Sequence, residues 1–332
     1  MIQRTQIRQT KINSLFTQSK ESEVFPYMLV DKKVFHIDDY IDFSIFYSDE
    51  NHSISVFLEQ NSTIGLKYLH KIKTLDEILI LKSDREKYDI FLEKNIQNIV
   101  DDKALSIDEK CDIIYESSTE LTLSLYSNPE ALKNAQISKS IITPILGTIL
   151  HNNNTISSYI KIIEYDYYTH THSLNVSIYA LCLGSEMKLN EEKLSLLGRA
   201  ALLHDLGKSK VDINIVNKKA KLTQNEFKKM KMHPSFGYEI ALKMGIEDKD
   251  FLDGIHYHHE KLNGTGYPDN IKDKAITLFP RIIAVCDIFD ALTSRRSYKD
   301  AMTSFDALIL MKREMSNHLD MQILGIFIKM LH

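Results

Sequence analysis

The sequence predicts a mainly α protein, in which a C-terminal helical bundle follows a small α+β domain. Two observations carry this. Short β-branched and aromatic runs, broken by polar residues, lie between 24 and 82, and from 104 onward that signal is gone. After 156 the chain carries segments such as L-S-L-L-G-R-A-A-L-L-H-D-L-G (194–207) and I-I-A-V-C-D-I-F-D-A-L (282–292), apolar nearly all round. Helices of that kind are buried.

Along the chain, Y-M-L-V (27–30), K-V-F-H-I (33–37), I-D-F-S-I-F-Y (41–47) and I-S-V-F-L-E (54–59) read as strands of an antiparallel sheet. Residues 64–72 read as a helix and 77–81 as a further strand. The α+β domain is assigned to 1–100, a helical linker to 101–158 and the bundle to 159–332. Ser106 caps a helix through 111–125, with Asp108 and Glu109 in the first turn, where the helix dipole favours acids. Pro129 opens another helix that reaches His151 with a kink at Pro144 and breaks at Asn152, Asn153 and Asn154. The amphipathic M-Q-I-L-G-I-F-I-K-M-L (321–331) closes the bundle.

Composition narrows the function classes. The 332 residues are 43% hydrophobic and 26% charged, the balance of a soluble globular protein. No apolar run is long enough to span a membrane. The opening M-I-Q-R-T-Q-I-R-Q-T lacks the apolar stretch of a signal peptide, so a cytoplasmic location is expected. Cys111, Cys182 and Cys286 lie far apart and form no C-x-x-C, which favours structural roles in a reducing compartment over disulfides. A net charge of −4 argues against a general nucleic-acid binder. From 160 onward, Lys and Arg number 24 against 22 Asp and Glu, and metal would neutralise several of those carboxylates. That half suits an anionic ligand.

Seven candidate metal ligands lie in the same half, in five motifs. His172 is in T-H-S-L-N-V (171–176), and His204 and Asp205 open H-D-L-G-K (204–208). His233 is in K-M-H-P (231–234), and His258 and His259 open H-H-E-K-L-N-G-T-G-Y-P (258–268). Asp287 is in A-V-C-D-I-F-D-A-L-T-S (284–294). Neighbouring helical residues point about 100° apart, so each adjacent pair can serve two ions. A lone His-Asp pair would read as a core histidine bonded to its neighbour. With five further candidates around it, the metal reading prevails. Seven ligands exceed the needs of one ion and suggest two metals and hydrolysis of a phosphate ester.

Other residues complete the pattern. Lys208 shares a helix face with Asp205 and is expected to clamp phosphate, while Gly207 lets a substrate approach the backbone. The Gly-rich loop ending in Pro268 can set N–H groups and the Tyr267 ring beside a ligand. Asp290, one turn after Asp287, is either a partner behind the ligands or a substrate contact. Arg295, Arg296 and Lys299 suit a second phosphate, with a solvated basic patch as the plainer alternative. His151, His170, His256, His318 and His332 lack comparable support, and His36, His52 and His70 fall in the other domain.

Through these motifs, from about 165 to 325, the chain resembles the HD-GYP family, a branch of the HD phosphohydrolases that degrades cyclic di-GMP in bacteria. His204-Asp205 and Gly266-Tyr267-Pro268, which correspond to the family's name, are intact. The resemblance implies an HD-type helical bundle with His172, His204, Asp205, His233, His258, His259 and Asp287 as metal ligands. It makes Lys208, Arg296 and Lys299 phosphate contacts and sets Gly266 and Tyr267 on the substrate side. It implies iron or manganese, with zinc, magnesium and nickel also compatible. Some members hold a third metal with a Glu four residues before the first His. Tyr168 stands there, so two metals are expected. Arg295 and Ser297 replace the usual Asp and Pro, and L-D-M (319–321) replaces F-D-P.

The expected activity is hydrolysis of cyclic di-GMP to pGpG or GMP, with Asp205 bridging the ions and Lys208 at the phosphoryl oxygens. Two alternatives stand beside it: a cyclic dinucleotide receptor with little turnover, and an HD hydrolase of another cyclic dinucleotide. A diguanylate cyclase (GGDEF) domain partner and a homodimer are open, whereas a nucleic-acid polymer and a membrane are not expected as partners. The N-terminal domain loosely resembles small α+β domains found ahead of some HD-GYP units and lacks the phosphorylatable Asp framework of a receiver.

Overall fold

A computed structural model of the chain describes residues 26–30, 32–48, 53–103, 105–152, 155–165, 171–218, 220–294 and 301–331. Its contacts divide the chain into two compact units, 1–88 and 89–332.

The first unit carries strands β1 (Tyr27–Val30), β2 (Tyr40–Ile41), β3 (Ile45–Ser48), β4 (Ile54–Leu58), β5 (Ser62–Thr63) and β6 (Ile78–Leu81). An antiparallel sheet runs β1-β6-β3-β4, and β2 pairs with β5. Helix α1 spans Leu66–Thr74. The expected strand at 33–37 does not form: Lys32–Val34 is a 3-10 turn. Val34 and Phe35 are both buried, and successive side chains of a strand cannot share one face. Asp38 then adopts a left-handed φ of 65°, and the His36 N–H donates to Asp39 Oδ2 at 2.6 Å, which closes a turn. The run 41–47 is likewise interrupted between β2 and β3. Ile41, Phe43 and Ile45 keep alternate burial, and Phe43 packs on Phe35 and Tyr88 with ring centroids 6.5 and 5.7 Å apart.

The second unit is helical. Helix α2 spans Arg85–Asp101, starting just before the boundary, and is followed by α3 (Ile107–Ser127), α4 (Asn134–His151) and α5 (Thr155–Tyr165). Ser106 caps α3 as expected, in a reciprocal capping box with Glu109. Pro129 does not open α4. The last carbonyls of α3 need donors, and the Asn134 side chain supplies one to Asn128 O at 2.7 Å, so 128–133 turns before the helix begins. Helix α3 packs on α4 and α5, with Ile114, Leu121, Leu125, Ile141 and Ile145 fully buried.

Helices α6 (His172–Glu186) and α7 (Glu191–Leu203) form the largest helix–helix contact, followed by a 3-10 turn at Leu206–Lys210. Then come α8 (Ile213–Val216), α9 (Gln224–Met230), α10 (His233–Lys243), α11 (Lys249–Tyr257), α12 (Leu278–Thr293), α13 (Ser304–Glu314) and α14 (Met321–Met330). Residues 173–184 of α6 are buried at every position, because α7, α12, α14 and α3 surround it. Tyr179 of α6, Phe289 of α12 and Phe327 of α14 meet edge-on with centroids 5.0–5.8 Å apart, so the C-terminal helix closes the core as its amphipathic pattern predicts. Among the described residues no helix is long and apolar enough to cross a membrane.

Candidate metal centre

Three of the histidines sit just beyond helix ends, and that position sets their chemistry. The last carbonyls of a helix have no partner within it. His204 follows α7 and sets its Nδ1 2.7 Å from Ala201 O. His233 follows α9 with Nδ1 2.8 Å from Met230 O, and His258 follows α11 with Nδ1 2.7 Å from Ile255 O. A carbonyl oxygen only accepts, so each Nδ1 carries the proton and each Nε2 presents its lone pair. His172, at the start of α6, donates from Nδ1 to Asp290 Oδ2 at 2.6 Å. Metal-binding histidines are oriented in this way, by a fixed partner on the far ring nitrogen.

The seven candidates gather into two groups. Asp205, His233, His258 and His259 form one, and His172, His204 and Asp287 the other, each with its ligand atoms within 4.8 Å of one another. Asp205 faces both: Oδ1 lies 3.3 Å from His233 Nε2, while Oδ2 lies 3.5 Å from His204 Nε2 and 3.7 Å from His172 Nε2. Asp287 Oδ1 is 3.2 Å from His172 Nε2.

These residues fit divalent metal. His233 Nε2 and His258 Nε2 stand 3.3 Å apart, two lone pairs with no proton between them in the tautomers set by their carbonyl partners. His204 Nε2 and Asp205 Oδ1 are buried without a hydrogen-bond partner. Unpaired buried acceptors of this kind are costly, and a shared cation removes the cost. Mixed imidazole and carboxylate donors suit iron, manganese or zinc.

The charge states agree. Burial lowers His204, His258 and His259, the last to about 3, so these rings are neutral. Burial would raise Asp205, but Lys208 and the neighbouring histidines hold it well below the usual carboxylate range. His172 is the exception: burial opposes its charge, yet Asp287 and Asp290 raise it to about 10, so an ion must displace the Nε2 proton to bind there. Burial would raise Asp287 too, and His172 in turn holds it below the ordinary range. Adding Mn²⁺ at about 100 times its Kd is expected to stabilise the chain by about 2.7 kcal/mol. That should raise the thermal midpoint by roughly 5–10 °C, reversibly with chelator. A midpoint indifferent to Mn²⁺, Fe²⁺ and Zn²⁺ would contradict a metal centre.

The remaining candidates separate. Lys208 Nζ pairs with Asp205 Oδ2 at 2.5 Å and its side chain is 35% exposed, so it faces both the ligands and solvent. The Tyr267 ring lies 4.7 Å from the His259 ring. Gly266 serves the packing of the loop. A Cβ there would stand 2.4 Å from Glu260 Cα and 2.5 Å from Lys261 N, so the loop lies directly on the backbone that carries His259. Gly207, expected to admit a substrate, is instead filled around by protein, with His233 O and Gly237 N against it. Of the two roles open to Asp290, its bonds favour the partner behind the ligands over the substrate contact: it is fully buried, and its oxygens accept from His172, Asn175 and Ser294. Arg295, Arg296, Ser297, Lys299 and Tyr168 lie outside the described residues.

Glu260 carries no role in the sequence reading, although it adjoins the His-His pair. It is buried and accepts from the Asp269 N–H at 2.7 Å, and burial raises its carboxyl. It thus ties the chain after Pro268 to the ligand-bearing segment. The helix-end carbonyls that orient the histidines have no place in that reading either. A His one to three residues past the end of a helix is the signal that points to them.

Comparisons with known proteins point to a family. The family model described as the HD domain matches residues 155–323. The cyclic di-GMP phosphodiesterase PA4108 of Pseudomonas aeruginosa is 34% identical over 200 residues, covering 60% of this chain and 48% of that protein. The cyclic di-GMP phosphodiesterase response regulator RpfG of Xanthomonas campestris is 39% identical over 158 residues, covering 46% and 41%. The 3'3'-cGAMP-specific phosphodiesterase 3 of Vibrio cholerae is 36% identical over 153 residues, covering 46% and 33%. The chain therefore spans less than half the length of these relatives. Among solved structures, Bd1817, a HDG"Y"P protein from Bdellovibrio bacteriovorus, aligns with a TM-score of 0.67 at 22% identity over 92% of this chain and 99% of that one, a likeness of fold. With its matched helical region, its His204-Asp205 pair and its Gly266-Tyr267-Pro268 loop, the chain belongs to the HD domain family, in the HD-GYP branch.

Proposed function

We propose that the chain is a metal-dependent phosphodiesterase that hydrolyses cyclic di-GMP at a pair of divalent ions, iron or manganese. The observation that carries this is the division of Asp205. Its Oδ1 is directed to His233 and its Oδ2 to His204 and His172, so one carboxylate reaches both ligand groups. His172, His204 and Asp287 hold one ion in this reading, and His233, His258 and His259 the other. Bound divalent ions supply an activated water nucleophile and Lewis-acid polarisation of the phosphoryl oxygens.

The chain's own residues do the rest. The helix-end carbonyls and Asp290 fix the four imidazoles before substrate arrives, so little reorganisation accompanies the reaction. Lys208 is the partly exposed cation at the ligands, poised to meet a non-bridging phosphate oxygen. Tyr267, held beside His259 by the packing of Gly266, stands on the substrate side in this reading. Arg296 and Lys299 take the second phosphate. The buried thiols of Cys111, Cys182 and Cys286, none of them in a disulfide, suit a cytoplasmic setting.

Similarity to proteins specific for 3'3'-cGAMP makes that ring the competitor to exclude. Protein purified anaerobically with Mn²⁺ or Fe²⁺ is to be given cyclic di-GMP, 3'3'-cGAMP and cyclic di-AMP, with product analysis. Cyclic di-GMP is expected to be consumed with kcat/KM at least about tenfold above the others, a discrimination of about 1.4 kcal/mol. Faster loss of 3'3'-cGAMP would reassign the substrate. Tight binding with no product would leave a receptor and overturn the enzyme.

A further inference from the structure

We infer that α3, which lies upstream of the residues matched by the family model, is part of the metal centre, with Tyr115 and Tyr126 as positioning residues for His172 and His204. The inference rests on the metal reading of the site. Its basis is a hydrogen-bond chain that starts on α3 and ends at a ligand. The Tyr115 O–H donates to Asn175 Oδ1 at 2.7 Å. The Asn175 Nδ2–H donates to Asp290 Oδ1 at 3.1 Å, and Asp290 Oδ2 accepts from His172 Nδ1 at 2.6 Å. Tyr115, Asn175 and Asp290 are buried, so water does not compete for these bonds.

The order of the chain gives it a mechanical meaning. The two oxygens of a carboxylate turn together, so holding Asp290 Oδ1 also sets where Oδ2 stands, and with it the plane of the His172 ring. Asn175 can hold Oδ1 only while its own amide is fixed, and Tyr115 fixes it. Tyr126 acts on the other arm. Its hydroxyl donates to Leu202 O at 2.9 Å and shares a hydrogen bond with Ser173 Oγ at 2.8 Å. Leu202 lies two residues before His204, and Ser173 directly follows His172. Eleven residues of α-helix make three turns and about 20°, so both tyrosines leave α3 on one face. A tyrosine that only fills the core behaves differently: the Tyr159 hydroxyl is bonded to Thr148, 3.1 Å away, and leads to no ligand.

The test uses the full chain with Mn²⁺ as probe. Mn²⁺ affinity is measured by chelator competition, and the thermal midpoint is measured on metal-free protein. Losing the direct partner of a metal-bound histidine weakens binding by roughly 10–100-fold. Tyr115 stands two hydrogen bonds farther out, so Tyr115→Phe is expected to weaken Mn²⁺ binding by about three- to tenfold. Tyr126→Phe is expected to weaken it comparably. Tyr159→Phe, the control, should lower the midpoint while leaving affinity within about twofold. Combining Tyr115→Phe with Asp290→Asn should weaken binding no further than Asp290→Asn alone, because both act through one path. Wild-type affinity in both Tyr115→Phe and Tyr126→Phe, or full additivity in the double variant, would overturn the inference while leaving the metal centre intact. Absence of Mn²⁺ binding by the unaltered chain would instead overturn the metal reading, and the inference with it.

Discussion

Replacing Asp205 by alanine is expected to cut cyclic di-GMP hydrolysis by at least about 10³-fold and to leave at most one tightly held ion per chain. Its two oxygens stand close to both ligand groups, at 3.3 Å from His233 and 3.5 Å from His204, whereas Asp287 comes only to 4.0 Å from His259. In the proposed two-ion reading, removing Asp205 would take from both ligand groups the one carboxylate that stands close to each. Losing several kcal/mol of charge stabilisation, about 4 kcal/mol, corresponds to about 10³ in rate. The fold should survive the change. The cation left behind, Lys208, has a side chain 35% exposed, so water can solvate it. Elemental analysis and turnover on the same preparation decide the matter. Two retained ions with turnover within about tenfold of the parent chain would refute the bridging role.

The largest loss of stability is expected from Gly207→Ala. A Cβ at Gly207 would sit 2.0 Å from His233 O and 2.4 Å from Gly237 N. Both are backbone atoms, so no rotamer change relieves the clash. The 3-10 turn must instead part from α10, whose first residue is His233. Overpacking commonly costs about 1–3 kcal/mol, and two backbone clashes put this case at about 3 kcal/mol or more. For a unit of this size the thermal midpoint should fall by roughly 6–12 °C. Metal affinity should fall as well, because His233 moves with the helix. A substituted chain with an unchanged midpoint would show that the turn and α10 can separate freely.

How much was legible beforehand differs from residue to residue, for physical reasons. Four of the seven candidate ligands stand out in the chain as adjacent His-Asp and His-His pairs, which are costly to bury without a partner, and the other three by the motifs around them. Helix α3 was placed by Ser106 and Glu109, whose capping geometry spans four residues. The strand expected at 33–37 failed because composition cannot tell a strand from a turn that buries Val34 and Phe35 together. Asp290 stood between two roles, since a residue one turn from a ligand can face either the ion or the ligand's far side. Only its bonds to His172 and Asn175 decide. Gly207 reads as room for substrate because a glycine's neighbours in space do not appear beside it in the chain.

The sequence by itself singled out the residues proposed to carry the chemistry, because motif spacing and residue type are local properties. It also determined that this chemistry sits on buried helices, since an all-apolar periodicity has no other stable setting. Tertiary structure alone decided how the seven candidates divide into two groups and that Asp205 stands close to both. It also decided that two tyrosines of α3 reach partners 47 to 76 residues further along, on or beside the ligand-bearing helices. These facts depend on which helix ends meet across α3, α6, α7, α10, α11 and α12, and that is settled by the packing of the whole second unit.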